Sequence, residues 1–263
     1  MHIFYLLIAL ICSTAGAVSG IGGGVVIKPV LDSISPYSVD TIHFLSGCTV
    51  LSMAAVSLLR CDKSLLRTNL KHTCFIAVGA AAGGILGKWA FDQLLGLLRG
   101  PWLSIVQSLL LLLMILVTFV FMAIPNRFPT LRLRNALSLV AAGLVLGVIS
   151  AFLGIGGGPL NILVLSVLFS SSEKVTAIHS LFVILLSQAS SLTVSLAQGS
   201  FPEFDPVVLG LMIAGGICGG LIGSALHKRL RNRHVRWILI GMFGVVILIQ
   251  IVNIGRWVSL LCR

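Results

Sequence analysis

The sequence predicts an all-α integral membrane protein built from two inverted repeats, each a glycine-broken helix block, re-entrant or paired, followed by three transmembrane helices. Three observations carry that prediction. The 263 residues are 57% hydrophobic and 10% charged, with a mean hydropathy of +1.11, a balance that suits a chain whose solvent is lipid and excludes a soluble globule. Six apolar stretches are each long enough, at about 20 residues, to cross a hydrocarbon core. A glycine cluster interrupts two further apolar blocks, and it recurs at a fixed distance.

The first block, at 3–34, opens with MHIFYLLIALICSTAGAVSG. This run imitates a secretory signal, but it lacks a positively charged leading region, and the repeat described below argues that it is retained. Gly20-Ile21-Gly22-Gly23-Gly24 breaks the block. Single spans follow at about 38–59, 72–94 and 102–124. The second block, at 135–170, is broken by Gly154-Ile155-Gly156-Gly157-Gly158, and spans follow at about 175–197, 206–226 and 237–255. The glycine cluster recurs 134 residues on. Val39-x-x-Ile42-His43 returns 136 residues on as Val175-x-x-Ile178-His179, and Gly83-Gly84-Ile85-Leu86-Gly87 as Gly219-Gly220-Leu221-Ile222-Gly223. Three matches in one order define two homologous halves, 1–125 and 135–263, joined by a linker at 126–134.

Positive charge decides how the halves are related. If each broken block enters and returns, one side of the membrane collects Arg60, Lys63, Arg67, Lys71, Arg127, Arg132, Arg134, Lys174, Lys228, Arg229, Arg231, Arg233 and Arg236, which is 13 of the 18 Lys and Arg. If each block crosses once, the same residues divide about evenly. The positive-inside rule selects the inverted arrangement, with the linker cytoplasmic and the 198–205 loop and both termini outside.

Composition also excludes functions. The 7 acids lie almost entirely outside the middles of apolar runs, which argues against carboxylate-pair catalysis, and the net charge of +11 sits in short loop clusters. That distribution is a membrane-loop pattern and excludes nucleic acid as a partner. The six cysteines show no metal-ligand spacing and read as small buried hydrophobes. Neither a cofactor nor a metal is expected. Lys88 and Asp92, four apart, read as a surface ion pair.

The glycine clusters are the candidate substrate site. Consecutive glycines stop a helix, and unwound backbone at membrane depth must be buried in protein or line a cavity. Gly20, Gly22, Gly23 and Gly24 in one half and Gly154, Gly156, Gly157 and Gly158 in the other expose backbone N–H groups. The half-helix after each break aims its partly positive N-terminus at the same spot, which favours an anion. Lys28 lies four residues beyond Gly24, and Asn161 three beyond Gly158, as further candidate ligands. Gly79/Gly83/Gly87 and Gly215/Gly219/Gly223, spaced by four, read instead as helix-packing faces.

His43 and His179 stand at equivalent positions and are the candidates for gating or for coupling to a proton. Each lies about five residues into its helix, so inversion puts His43 toward the outside and His179 toward the inside. Ser46, Ser180 and Gln188 add polarity to the same helices.

The duplicated SGIGGGVVIKPVL and LGIGGGPLNILVL, each followed by three spans, resemble the sulfite exporter TauE/SafE family of membrane permeases. The resemblance covers nearly the whole chain. It implies a multi-pass protein of a bacterial or archaeal inner membrane that moves small sulfur-containing anions such as sulfite, sulfoacetate or another organosulfonate. The expected function is secondary transport or facilitated passage of a small anion, by alternating access around the two breaks, with the bilayer as solvent. Two other classes compete: a non-transporting assembly or scaffold protein, which would not require paired broken helices, and a membrane enzyme, for which no nucleophile–base pair or metal cluster is visible.

Overall fold

A computed structural model of the chain describes residues 2–97, 102–123, 135–169, 172–199 and 202–261. The described residues are all-helical: α1 His2–Ser19, α2 Gly24–Ile34, α3 Val39–Arg60, α4 Lys63–Arg67, α5 Leu70–Leu97, α6 Trp102–Ala123, α7 Ala136–Leu153, α8 Gly158–Phe169, α9 Glu173–Gln198, α10 Pro206–Arg229 and α11 Asn232–Leu261. Eight of these are long and apolar enough to cross a membrane. The six single spans expected from hydropathy appear as α3, α5, α6, α9, α10 and α11. Each glycine-broken block becomes one 18-residue helix, α1 or α7, and one short helix, α2 or α8, of 11 or 12 residues. The turn-length α4 was not foreseen. It is started by Asp62, whose exposed carboxylate accepts from Ser64 Oγ at 2.8 Å and Ser64 N at 2.9 Å, and those bonds hold it below the usual carboxylate range.

Partners cross between the halves. The most extensive contacts are α5 with α7 and α1 with α10, followed by α5 with α9 and α3 with α10. The first broken helix therefore packs on the second half, and the second broken helix on the first. Adjacent glycines make these close approaches possible. Gly79, Gly83 and Gly87 lie against Val140, Leu144 and Val148 of α7, while Gly84 lies against Ser187 of α9. In the same way Gly215, Gly219 and Gly223 face α1, and Gly216 and Gly220 face α3. Where helix association removes no apolar surface from water, such close backbone-to-backbone packing is a principal attraction between helices.

Register gives the helix directions. Gly215, Gly219 and Gly223 meet Leu6, Leu10 and Thr14 in ascending order, so α1 and α10 run parallel. Gly216 against Thr49 and Gly220 against Met53 make α3 parallel to α10. On the other side, Gly79 to Gly87 ascend with Val140 to Val148, and Thr73 meets His179 while Gly84 meets Ser187, so α5, α7 and α9 are mutually parallel. Because α1 and α3 point the same way, α2 carries the chain back after the first break; α8 does the same between α7 and α9. One face of the bundle then holds the starts of α3 and α10 and the ends of α5 and α9. The opposite face holds Arg60, Lys63, Lys174 and the basic turn between α10 and α11, where Lys174 Nζ donates to the Lys228 carbonyl at 3.2 Å. The expected linker at 126–134 lies outside the described residues.

Two readings of the sequence need correction. Only Cys12 among the described cysteines is buried; Cys74 and Cys218 are exposed on outward helix surfaces, where a thiol is apolar enough to face lipid. The Lys88–Asp92 pair does form, at 2.6 Å, but Lys88 is 6% exposed and is no surface group. Gly84 and Gly87 draw that part of α5 against α9 and α7, which encloses the lysine stem.

Candidate functional site

The two breaks meet back to back in the centre of the bundle, and every residue from Gly20 to Pro29 and from Leu153 to Pro159 is buried. Their turns match: Gly22 and Gly156 both have φ of +79°, a left-handed conformation that a side chain resists. Val50 of α3 and Ile184 of α9 flank both turns. The contact between breaks is through backbone. A Cβ on Gly24 would lie 2.8 Å from the Ile155 carbonyl oxygen, and one on Gly158 would overlap the Ile21 carbonyl. Glycine is required at Gly24 and Gly158 by space, and at Gly22 and Gly156 by backbone conformation. The first N–H groups of α2 and α8 have no acceptor within their own helices, and they open onto this junction.

The second break is the more polar of the two. α7 ends in the left-handed Gly154, and its last carbonyls are held by side chains from the first half. Lys28 Nζ donates to Leu153 O at 2.7 Å and to Gln107 Oε1 at 2.7 Å, while Gln107 Nε2 donates to Phe152 O at 2.7 Å. An ammonium at a helix C-terminus is favoured by the partial negative charge there. Lys28 is thus buried, paired and turned toward the second break rather than its own. Asn161, from α8, donates from Nδ2 to Gly156 O at 3.5 Å, and its Oδ1 and the Ser150 hydroxyl oxygen have no partner among the described residues. Lys28 and Asn161 therefore reach the same break from opposite halves.

His43 stacks on Phe91 with ring centroids 4.2 Å apart, and its ring fills the space a Gly154 side chain would need. Its Nδ1 has no partner among the described residues. His179 has a different setting, with Nδ1 2.9 Å from Thr73 Oγ1. Its neighbours contact the first break: Ser180 Oγ donates to Gly20 O at 2.7 Å, and Ala177 lies where a Gly20 side chain would. The start of α3 thus abuts the second break and the start of α9 abuts the first. Ser46 is fully buried with its hydroxyl unpartnered among the described residues. Gln188 packs beside Gly47 and lines a cleft on the face where α3 begins.

Sequence reasoning missed Gln107, Ser150 and the pair Val50 and Ile184. Gln107 alone carried a signal, as a lone amide within the apolar run of α6. The others are ordinary membrane-helix residues whose position only packing reveals. Among the described residues no group of three His, Cys, Asp or Glu is arranged to hold a metal ion.

A family model described as sulfite exporter TauE/SafE matches residues 5–249 of the chain. The chain is also 22% identical over 255 residues to a probable membrane transporter protein, YunE, of Bacillus subtilis (strain 168), an alignment covering 90% of this chain and 92% of that protein. No solved structure gives a significant match. With nearly its whole length matched, the multi-pass helical chain belongs to the sulfite exporter TauE/SafE family of membrane transporters.

Proposed function

We propose that the protein is a secondary transporter or facilitator for a small sulfur-containing anion such as sulfite, sulfoacetate or another organosulfonate. The site is the junction of the two breaks, built from the glycines 20, 22, 23, 24, 154, 156, 157 and 158, with Lys28 and Asn161 bordering the second turn. Gly20, Gly22 and Gly154 shape the turns, their N–H groups donating to the carbonyls of Gly16 and Ser150, and the donors offered to an anion are those of the glycines that follow them. The halves are inverted relatives, and substrate access alternates as they rock about this junction. The observation that carries the reading is the buried, side-chain-free contact between Gly24 and Ile155 and between Gly158 and Ile21. A pair of helix N-termini converging on bare backbone is suited to an anion. A protein that only scaffolds others has no use for it.

His43 and His179, each on a helix whose start touches the break of the other half, gate the two sides and take up the coupling proton, with Ser46, Ser180 and Gln188 lining the same route. The membrane is a bacterial or archaeal inner membrane with both termini outside, the basic loops being cytoplasmic. The family relationship to transporters speaks against an enzyme. The test is uptake of labelled sulfite, sulfoacetate, sulfate and acetate by reconstituted vesicles with and without a pH gradient. Saturable uptake of a sulfur oxyanion supports the reading; no anion uptake under any gradient ends it.

A further inference from the structure

The cleft on the face where α3 begins is small and partly open, and it is bordered by Asp40, His43, Lys88, Gln188, Ser191 and Ser195. Lys88 Nζ is 2.6 Å from Asp92 and 3.9 Å from Asp40, and it sits 5.1 Å from the Phe91 ring centroid. Two donors are thus arranged around one small space. Lys88 has hydrogens left over after Asp92, and the Gln188 amide is 2% exposed with Nε2 lacking any acceptor among the described residues. Burying an amide donor without an acceptor is costly. It is explained by an acceptor that comes and goes.

The charged groups facing Lys88 are Asp40 and His43 from α3 and Asp92 from its own helix; Lys28 of α2 also acts on His43 electrostatically. The two carboxylates are 27% and 28% exposed, so water can take them over when the ammonium turns away. The order Lys88, His43, Lys28 leads from the cleft to the Gly154 break. The second half lacks this arrangement: 136 residues on, Asp40, Lys88 and Asp92 correspond to Thr176, Ser224 and Lys228. Ser224 turns its hydroxyl back to the Leu221 carbonyl.

We propose that this cleft is a docking site for a small oxyanion, in which Lys88 exchanges Asp92 and Asp40 for the anion and Gln188 Nε2 donates a second hydrogen bond to it. The inference rests on the small-anion reading above and deepens it, adding a capture step on one face only. The anion then passes His43 toward Lys28 and the central junction. A lysine that merely ties α3 to α5 makes the opposite prediction for its acidic partner, since neutralising either member of a structural ion pair loosens it.

The test is equilibrium binding of sulfite and of sulfoacetate to the purified full-length protein by calorimetry, alongside vesicle uptake and a thermal melt. Lys88→Gln and Gln188→Leu should each weaken binding, Lys88→Gln by about tenfold or more, and Lys88→Arg should restore much of it. Asp92→Asn should tighten binding several-fold, because the ammonium loses its competitor. If Lys88→Gln does not fold, the Asp92→Asn and Gln188→Leu results decide. Unchanged binding in a folded Lys88→Gln or Gln188→Leu variant, or weaker binding in Asp92→Asn, overturns the docking site. If those variants also transport normally, the small-anion reading stands without it. A wild-type protein that neither binds nor transports either anion removes both readings.

Discussion

Lys28 of α2 reaches across to the backbone oxygen of Leu153 at 2.7 Å, so the returning helix of the first half caps the broken helix of the second. The ammonium also accepts no exposure to lipid: it is buried, and Gln107 shares both the lysine and the preceding carbonyl of Phe152. A charge that is expensive in a membrane interior thereby fastens the two halves at the point where the second helix stops.

Lys28→Met should destabilise the protein and abolish transport, since it strips the donor from Leu153 O and Gln107 Oε1. A charge-assisted hydrogen bond contributes about 1.5–3 kcal/mol, which a thermal melt in detergent can read. Lys28→Arg should recover stability better than flux, because the longer planar head cannot keep both partners. A melting temperature unchanged in Lys28→Met would show that the cap is dispensable.

Glycine substitutions should divide by location. Gly24→Ala and Gly158→Ala put a methyl group into a facing carbonyl and should eliminate transport, with overpacking costs of about 1–3 kcal/mol or more. Gly79→Ala meets the Val140 carbonyl and should mainly lower stability. Gly241→Ala meets nothing within 4 Å and should behave as the unmodified protein. Normal flux in both break variants would remove the junction as the site.

Proton coupling should run through the histidines. His43→Gln and His179→Gln keep a hydrogen-bonding side chain and remove the titration, whose unperturbed midpoint is roughly 6.5. Flux measured against pH on each side of the vesicle should flatten for external pH with His43→Gln and for internal pH with His179→Gln. A double variant that retains the full pH profile would leave both as packing groups.

Cysteine accessibility tests the orientation. Single cysteines at positions 65, 174 and 231 should react only from the cytoplasm, and one at 203 only from outside. Labelling of 65 and 231 from opposite sides would end the inverted arrangement.

Six spans and two interrupted blocks are legible in the sequence because lipid imposes a simple rule: about 20 apolar residues per crossing, with polar punctuation between. The glycine clusters are legible for the same reason, since a run such as Gly22-Gly23-Gly24 cannot continue a helix. Long-range packing is different. Nothing local tells that α1 lies on α10 or α7 on α5, because the glycines that permit these approaches present the same face to any partner. Lys28 and Asn161 are singled out by their distance from the glycine clusters and His43 by its recurrence as His179, yet their meeting at the second break depends on helices more than 100 residues apart. Lys88 is the sharpest case: its spacing from Asp92 implies an ordinary surface pair. Only the closeness of α5 to its neighbours, set by glycines on two of its faces, buries the ammonium beside Gln188 and turns an ion pair into part of a cleft.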